Sequence, residues 1–245
     1  NPTSEPWEYL RSLVADHLVR ELPLQLRVDN PHDFERFLRS VALRTGQVLN
    51  KAALAREIGI AGSTAAIWLA TLIDAGVVTL LYPWKPTQGK PVVKSPKVYF
   101  LDTGLCCHLL GIRTETELAE SPHAAAIWET SVHAELRRLL AAAAPSAELL
   151  FWRDRTKEAD FLVPTPRGLL IIDAAWLEIP PAAAVRRLLR IRSLIGEASV
   201  AGLAVVCRTP TRQALRRPAG PAVETVGLDD LPGLVGGWAP PPKPS

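Results

Sequence analysis

The stretch LLFWRDRTKEADFLVPTPRGLLIIDAA, residues 149–175, decides how the chain is read. Its apolar runs at 149–153, 159–163 and 169–174 have strand length and are separated by polar or Pro/Gly turns. Ahead of it, residues 124–142 carry Ile127, Val132, Leu136 and Leu139 at helical spacing. Behind it, residues 182–195 form a basic amphipathic pattern that predicts a helix, and residues 200–207 predict a further strand. The order α-β-β-β-α-β predicts a mixed sheet flanked by helices, an α+β or α/β domain. Two acids, Asp160 and Asp173, stand within those strands. Asp173 follows Ile171-Ile172 and precedes Ala174-Ala175, where a carboxylate is costly to bury unless it is paired or binds a metal.

The preceding segment has a different pattern. Asn50 predicts an N-cap for a helix ending at Ile58, and residues 59–62 form a tight turn. Ser63 is expected to cap a second helix through Ala75, which Gly76 ends in the left-handed conformation. Residues 77–81 predict a strand, 83–91 a loop, and Val92-Val93 with 98–101 the returning strand. Helix, short turn, helix and hairpin together predict a winged helix-turn-helix. Upstream, residues 7–22 have helical spacing, and Asn30-Pro31 opens a helix with Phe34, Phe37, Leu38 and Val41 on one face. The predicted organisation is a helical linker segment at 1–45, the winged helix at 46–111, a connector at 112–123, a sheet domain at 124–239 and a disordered Pro-rich tail at 240–245.

Composition narrows the function classes. The chain has 245 residues, 48% apolar and 22% charged, enough for a globular core. Three cysteines without a C-x-x-C pair argue against a disulfide scaffold or a zinc finger and suit a reducing cytoplasm. No phosphate-binding Gly-rich motif occurs, so no ATP site of the P-loop kind is expected in this chain. No apolar run has the ~18 residues of a membrane span, and no membrane partner is expected. The chain lacks methionine and reads as a piece of something longer, with an Ala/Arg/Pro bias of the high-GC bacterial kind. Net charge is only +3, but residues 182–217 hold eight arginines against Glu197, and residues 44–100 hold seven Lys/Arg against Glu57 and Asp74. Segments of that kind suit phosphate-facing surfaces.

Two motifs point further: K-S-P-K-V-Y-F-L-D-T-G-L at 94–105, and F-W-R-D followed by E-A-D-F, ending at Phe161. With Arg44-Thr45-Gly46-Gln47 and Leu49-Asn50, they resemble the C-terminal region of bacterial and archaeal AAA-type ATPases. In that family an ATPase domain precedes a winged helix and a domain resembling PD-(D/E)xK nucleases. The resemblance extends from about residue 8 to residue 235. It implies a site in which Asp160 and Asp173 hold Mg²⁺, supported by Glu129 on the preceding helix, with a lysine two residues beyond the second acid. Here that last position is Ala175. Arg153, Arg155 and Lys157 are the nearby cations available to replace it, although arginine is poor at proton handling.

Three readings follow. In the first, the chain is the nucleic-acid-binding and interaction region of an AAA-type ATPase, with a degenerate, inactive nuclease-like fold. The second helix carries no Lys, Arg, Asn or Gln, so sequence readout is not expected. Contacts to DNA or other nucleic acid then fall to Lys51, Arg56, Ser63, Thr64, Lys85, Lys90, Lys94 and Lys97. In the second reading, Asp160, Asp173 and Glu129 form an active Mg²⁺-dependent nuclease site. In the third, the chain is an assembly domain whose partner is the ATPase domain of the same protein or a second copy. The mark of the third is the apolar second helix, whose Trp68, Leu69, Leu72 and Ile73 are not expected to fit one small core.

Overall fold

The computed structural model describes Glu8, Ser12, Val14, Leu18 and residues 30–85, 93–143, 145, 147–210, 212–215 and 221–236. The chain is a mixed α+β protein that divides into two compact units. The first comprises residues up to Leu80 together with Lys97–Thr130; the second comprises Leu81–Pro96 and the chain from Ser131 onward.

In the first unit, α1 (Pro31–Ala42) starts on Asn30, whose side chain accepts a hydrogen bond from the His32 backbone at 3.1 Å. Pro31 takes the first helical position, where its missing N–H costs nothing. After β1 (Gln47–Val48), helix α2 (Lys51–Ile58) is capped by Asn50, which accepts from the Ala53 amide at 2.9 Å. Gly59 closes α2 at φ 84°, a conformation that favours glycine. Helix α3 (Gly62–Asp74) follows after a bend of 108°. Its cap position is Ala61, which makes no side-chain bond, so Ser63 lies inside the first turn and is not the expected cap.

Strands β2 (Val78–Pro83) and β3 (Lys97–Phe100) come next, and β3 pairs antiparallel with β1. Of the expected returning strand, Val93 is outside β3, and Val92 lies outside the described residues. Helix α4 (Thr103–Leu109) begins on Asp102, which accepts from the Leu105 amide at 2.6 Å. The expected connector contains a short helix, α5 (Glu115–Glu120), fixed by a capping box between Thr114 and Glu117.

The core of this unit corrects one expectation. Trp68, Leu69 and Leu72 are all buried, and Ile73 packs against them. Helix α1 makes this possible by contributing Phe34 and Phe37, each fully buried. Trp68 meets their rings edge-on at 5.2 and 5.4 Å. The segment read as a linker thus completes the core. Val14 and Leu18 join the same cluster; the rest of the expected helix at 7–22 lies outside the described residues.

Helix α6 (Ala124–Ala143) carries the chain across the unit boundary. The expected order then appears: β4 (Leu150–Arg153), β5 (Glu158–Thr165), β6 (Gly168–Ala174), α7 (Ala182–Ile195) and β7 (Val200–Val206). Strands β4, β5 and β6 are antiparallel to one another in sequence order, and β6 runs parallel to β7. The sheet continues through two strands not foreseen, β8 (Gln213–Leu215) and β9 (Val223–Val226), with β9 between β7 and β8. A short α8 (Leu231–Gly236) ends the described chain. Leu188 and Ile191 of α7 are fully buried against Leu162, Ile171 and Val205 of the sheet. Trp128, Trp152 and Trp176 are each half-buried. Among the described residues no single helix is long and apolar enough to cross a membrane.

Candidate functional site

Phe161 of β5 stands opposite Ile172 of β6, so Asp160 and Asp173 lie at adjacent positions of neighbouring antiparallel strands. Asp173 is fully buried and Asp160 is 8% exposed. Each carboxylate reaches the other's strand. Asp173 Oδ1 accepts from the Asp160 amide at 3.3 Å, and Asp160 Oδ2 accepts from the Ala174 amide at 2.9 Å. The two expected site acids are therefore brought together.

A cation completes the pair, but none of those the sequence suggested. Arg187 of α7 donates from Nε and Nη2 to Asp173 Oδ2, at 3.0 and 2.7 Å. It comes from the helix face next to the buried Leu188, where the apolar period fixes α7 on the sheet. Arg153 pairs instead with Glu158 at 3.0 Å, Lys157 donates to Thr156, and Arg155 is exposed. Ala175 is half-buried beside the core, and its amide donates to Val206 at 2.8 Å. Burial pushes the Asp173 carboxyl up to about 7, reinforced by Asp160 and opposed by Arg187.

Glu129 is placed in the first unit and has its own partners. Lys97 Nζ lies 2.8 Å and Tyr99 Oη 2.5 Å from its Oε1. Lys97 and Tyr99 alternate with Val98 and Phe100 along β3, so one face of the strand meets Glu129 and the other enters the apolar cluster. Gly46, at φ 75°, passes close by: a Cβ there would meet the Glu129 carboxyl at 3.5 Å. Thr45 Oγ1 bonds Thr130 Oγ1 at 2.8 Å, and Arg44 pairs with Glu57. The R-T-G-Q turn and the K-x-Y segment are thus tied to the start of α6.

That arrangement removes Lys97 from the expected phosphate contacts, because its ammonium is buried and bonded to Glu129. Lys51, Arg56, Ser63, Lys85 and Lys94 are exposed and Thr64 is half-buried; Lys90 lies outside the described residues. None of Lys51, Arg56, Lys85 and Lys94 has a carboxylate partner among the described residues.

The acids do not suit Mg²⁺ as arranged. A divalent ion needs several open oxygen ligands, whereas both Asp173 oxygens already accept hydrogen bonds and face a guanidinium. Among the described residues no three His, Cys, Asp or Glu side chains form a metal-holding group.

A family model described as a domain of unknown function, DUF8612, matches residues 2–116. Two uncharacterized proteins, Rv2008c of Mycobacterium tuberculosis and Mb2031c of Mycobacterium bovis, are each 43% identical over 108 residues, 44% of this chain. The match spans only 24% of either relative's length. Among solved structures, protein VC1899 from Vibrio cholerae is similar over 96% of this chain and 56% of its own, at 15% identity and a TM-score of 0.31. The half-complex of Thermococcus gammatolerans McrB AAA+ hexamers with bound McrC is similar over 79% of this chain and 47% of that one, at 12% identity and a TM-score of 0.31. At those scores neither likeness defines the fold.

Proposed function

We propose that this chain is a sequence-blind nucleic-acid-binding and interaction region that works beside an AAA-type ATPase domain in the cytoplasm. Its nuclease-like sheet keeps a carboxylate pair and does not cleave. One observation carries the reading: the Arg187 guanidinium sits on Asp173, where a nuclease would hold its metal. Asp173 is buried, so the pair is shielded from solvent exchange on that side.

Binding rests on cations left unmatched at the surface. Lys51 and Arg56 stand on α2, Ser63 and Thr64 lie in the first turn of the uncapped α3, and Lys85 and Lys94 fall between β2 and β3 in sequence. The 108° bend between α2 and α3 lies within the range of DNA-binding helix-turn-helix pairs. An α3 without Lys, Arg, Asn or Gln favours phosphate contact over base readout. The association with an ATPase domain follows from the K-S-P-K-V-Y-F-L-D-T-G-L resemblance.

The test is fluorescence anisotropy of labelled duplex and single-stranded DNA across a salt series. Binding to both, unaffected by base sequence and weakening linearly in log salt, is expected. No binding at low salt overturns the nucleic-acid reading and leaves the assembly role.

A further inference from the structure

The geometry points to a phosphate-binding groove beside α7, a site separate from the expected contacts on α2, α3 and β2–β3. We infer that it takes adjacent phosphate groups of one strand. This deepens the nucleic-acid reading by naming where phosphates sit.

The groove is an open depression of about 650 Å³ lined by Lys157, Ala183, Arg186, Arg187, Leu189 and Arg190. Four of those six residues are cationic and none is acidic. Arg186 and Arg190 are exposed and stand one helical turn apart, about 5–6 Å between Cβ atoms. Neither has a carboxylate partner among the described residues. The nearby acid Glu158 pairs with Arg153 at 3.0 Å.

Two members are held in place before any ligand arrives. Arg187 is anchored through Nε and Nη2 to buried Asp173, while its side chain stays 41% exposed. A guanidinium has five N–H donors, so the anchored group still has donors for an oxyanion. Lys157 sits on a built turn: Asp154 Oδ1 accepts from the amides of Thr156 and Lys157 at 2.7 and 2.6 Å. Ordering cations in advance lowers the entropy cost of binding. An arginine fork can also take two oxygens of one phosphate through parallel N–H···O bonds. The shared chemistry is a run of phosphates, supplied either by a nucleic-acid strand or by a free polyphosphate.

The experiment uses the full chain with Arg186→Ala/Arg190→Ala, beside Lys51→Ala/Arg56→Ala as a comparison. Labelled oligothymidylate and tripolyphosphate are the probes. The groove variant is expected to bind the oligonucleotide at least ~10-fold more weakly and to lower the salt slope by about two. Its circular dichroism stays that of the wild type, because both positions are exposed. If the groove variant binds like the wild type while the α2 variant fails, the groove is overturned and the nucleic-acid reading stands. If the wild type binds no oligonucleotide, that reading falls and tripolyphosphate calorimetry decides the groove. Heat lost in the groove variant then makes it a free-polyphosphate site, and absent or unchanged heat overturns it.

Discussion

Arg187 sets two guanidinium nitrogens on a single oxygen of Asp173, at 3.0 and 2.7 Å, while the other oxygen takes the Asp160 amide. A guanidinium on a buried acid gives that acid a structural partner in place of a catalytic one. Removing it leaves a charge without compensation. In Arg187→Ala, unfolding free energy should fall by about 2 kcal/mol above pH ~7, less than for a fully buried pair because Arg187 is itself partly solvated. The loss should shrink toward pH ~5, where Asp173 is already neutral. Urea unfolding at both pH values checks this, and an equal loss at both contradicts it.

Asp173 also makes stability depend on pH in a definite direction. Burial and Asp160 raise its folded carboxyl from 3.8 to about 7, against the pull of Arg187. The folded state therefore binds the proton more tightly than the unfolded state. The stabilisation is fully present below pH ~4 and is lost as pH rises to about 7. Asp173→Asn keeps one acceptor oxygen, enough for either Arg187 or the Asp160 amide, and cannot titrate. Relative to the variant, the wild type should lose stability steadily across that window, by no more than ~4 kcal/mol. Parallel profiles for the two proteins would falsify the assignment. Glu57, Glu135 and Asp154, whose carboxyls are held low, titrate in the opposite sense in both proteins and cancel in the difference.

The Lys97–Glu129 pair should behave as a unit. Lys97→Met leaves the Glu129 carboxylate with one donor fewer in a part-buried setting and should cost about 3–5 kcal/mol. Adding Glu129→Gln should restore part of that loss, because the uncompensated charge is gone. A double-mutant cycle on thermal unfolding reads the coupling, and strictly additive effects sink the idea.

Trp68 separates core from docking face. Trp68→Ala removes a ring packed edge-on against Phe34 and Phe37 and should destabilise the chain by about 3–5 kcal/mol. A cost below ~1 kcal/mol would return α3 to the role of an exposed partner surface.

Much of this was legible in the residues. Asn30-Pro31 and Asn50 are local cap signals, and the helix at 182–195 falls where the apolar period of Ala184, Leu188 and Ile191 puts it. The capping box of Thr114 and Glu117 was also present in the sequence, hidden in a segment too short to show a period. Gln213–Leu215 and Val223–Val226 are three and four residues long, below the length at which alternation is visible. The burial of Trp68 depends on Phe34 and Phe37, a long-range contact that composition does not encode. Asp160 and Asp173 were visible as acids in apolar strands, but Arg187 was not visible as their partner. It is one of several arginines on its helix, and only the docking of Leu188 on the sheet selects it. Lys97 misled for the opposite reason: a lysine near a loop reads as solvated until its strand is known to be buried on both faces.

The most direct measurement is of one sample read twice. The full chain is mixed with labelled duplex DNA in Mg²⁺ or Mn²⁺, anisotropy is recorded, and the same DNA is then run on a denaturing gel. The DNA should be bound in a salt-dependent way and recovered intact. DNA cut by the wild type and left whole by Asp160→Ala would contradict this, and would mean that Arg187 yields its place on Asp173 to a metal.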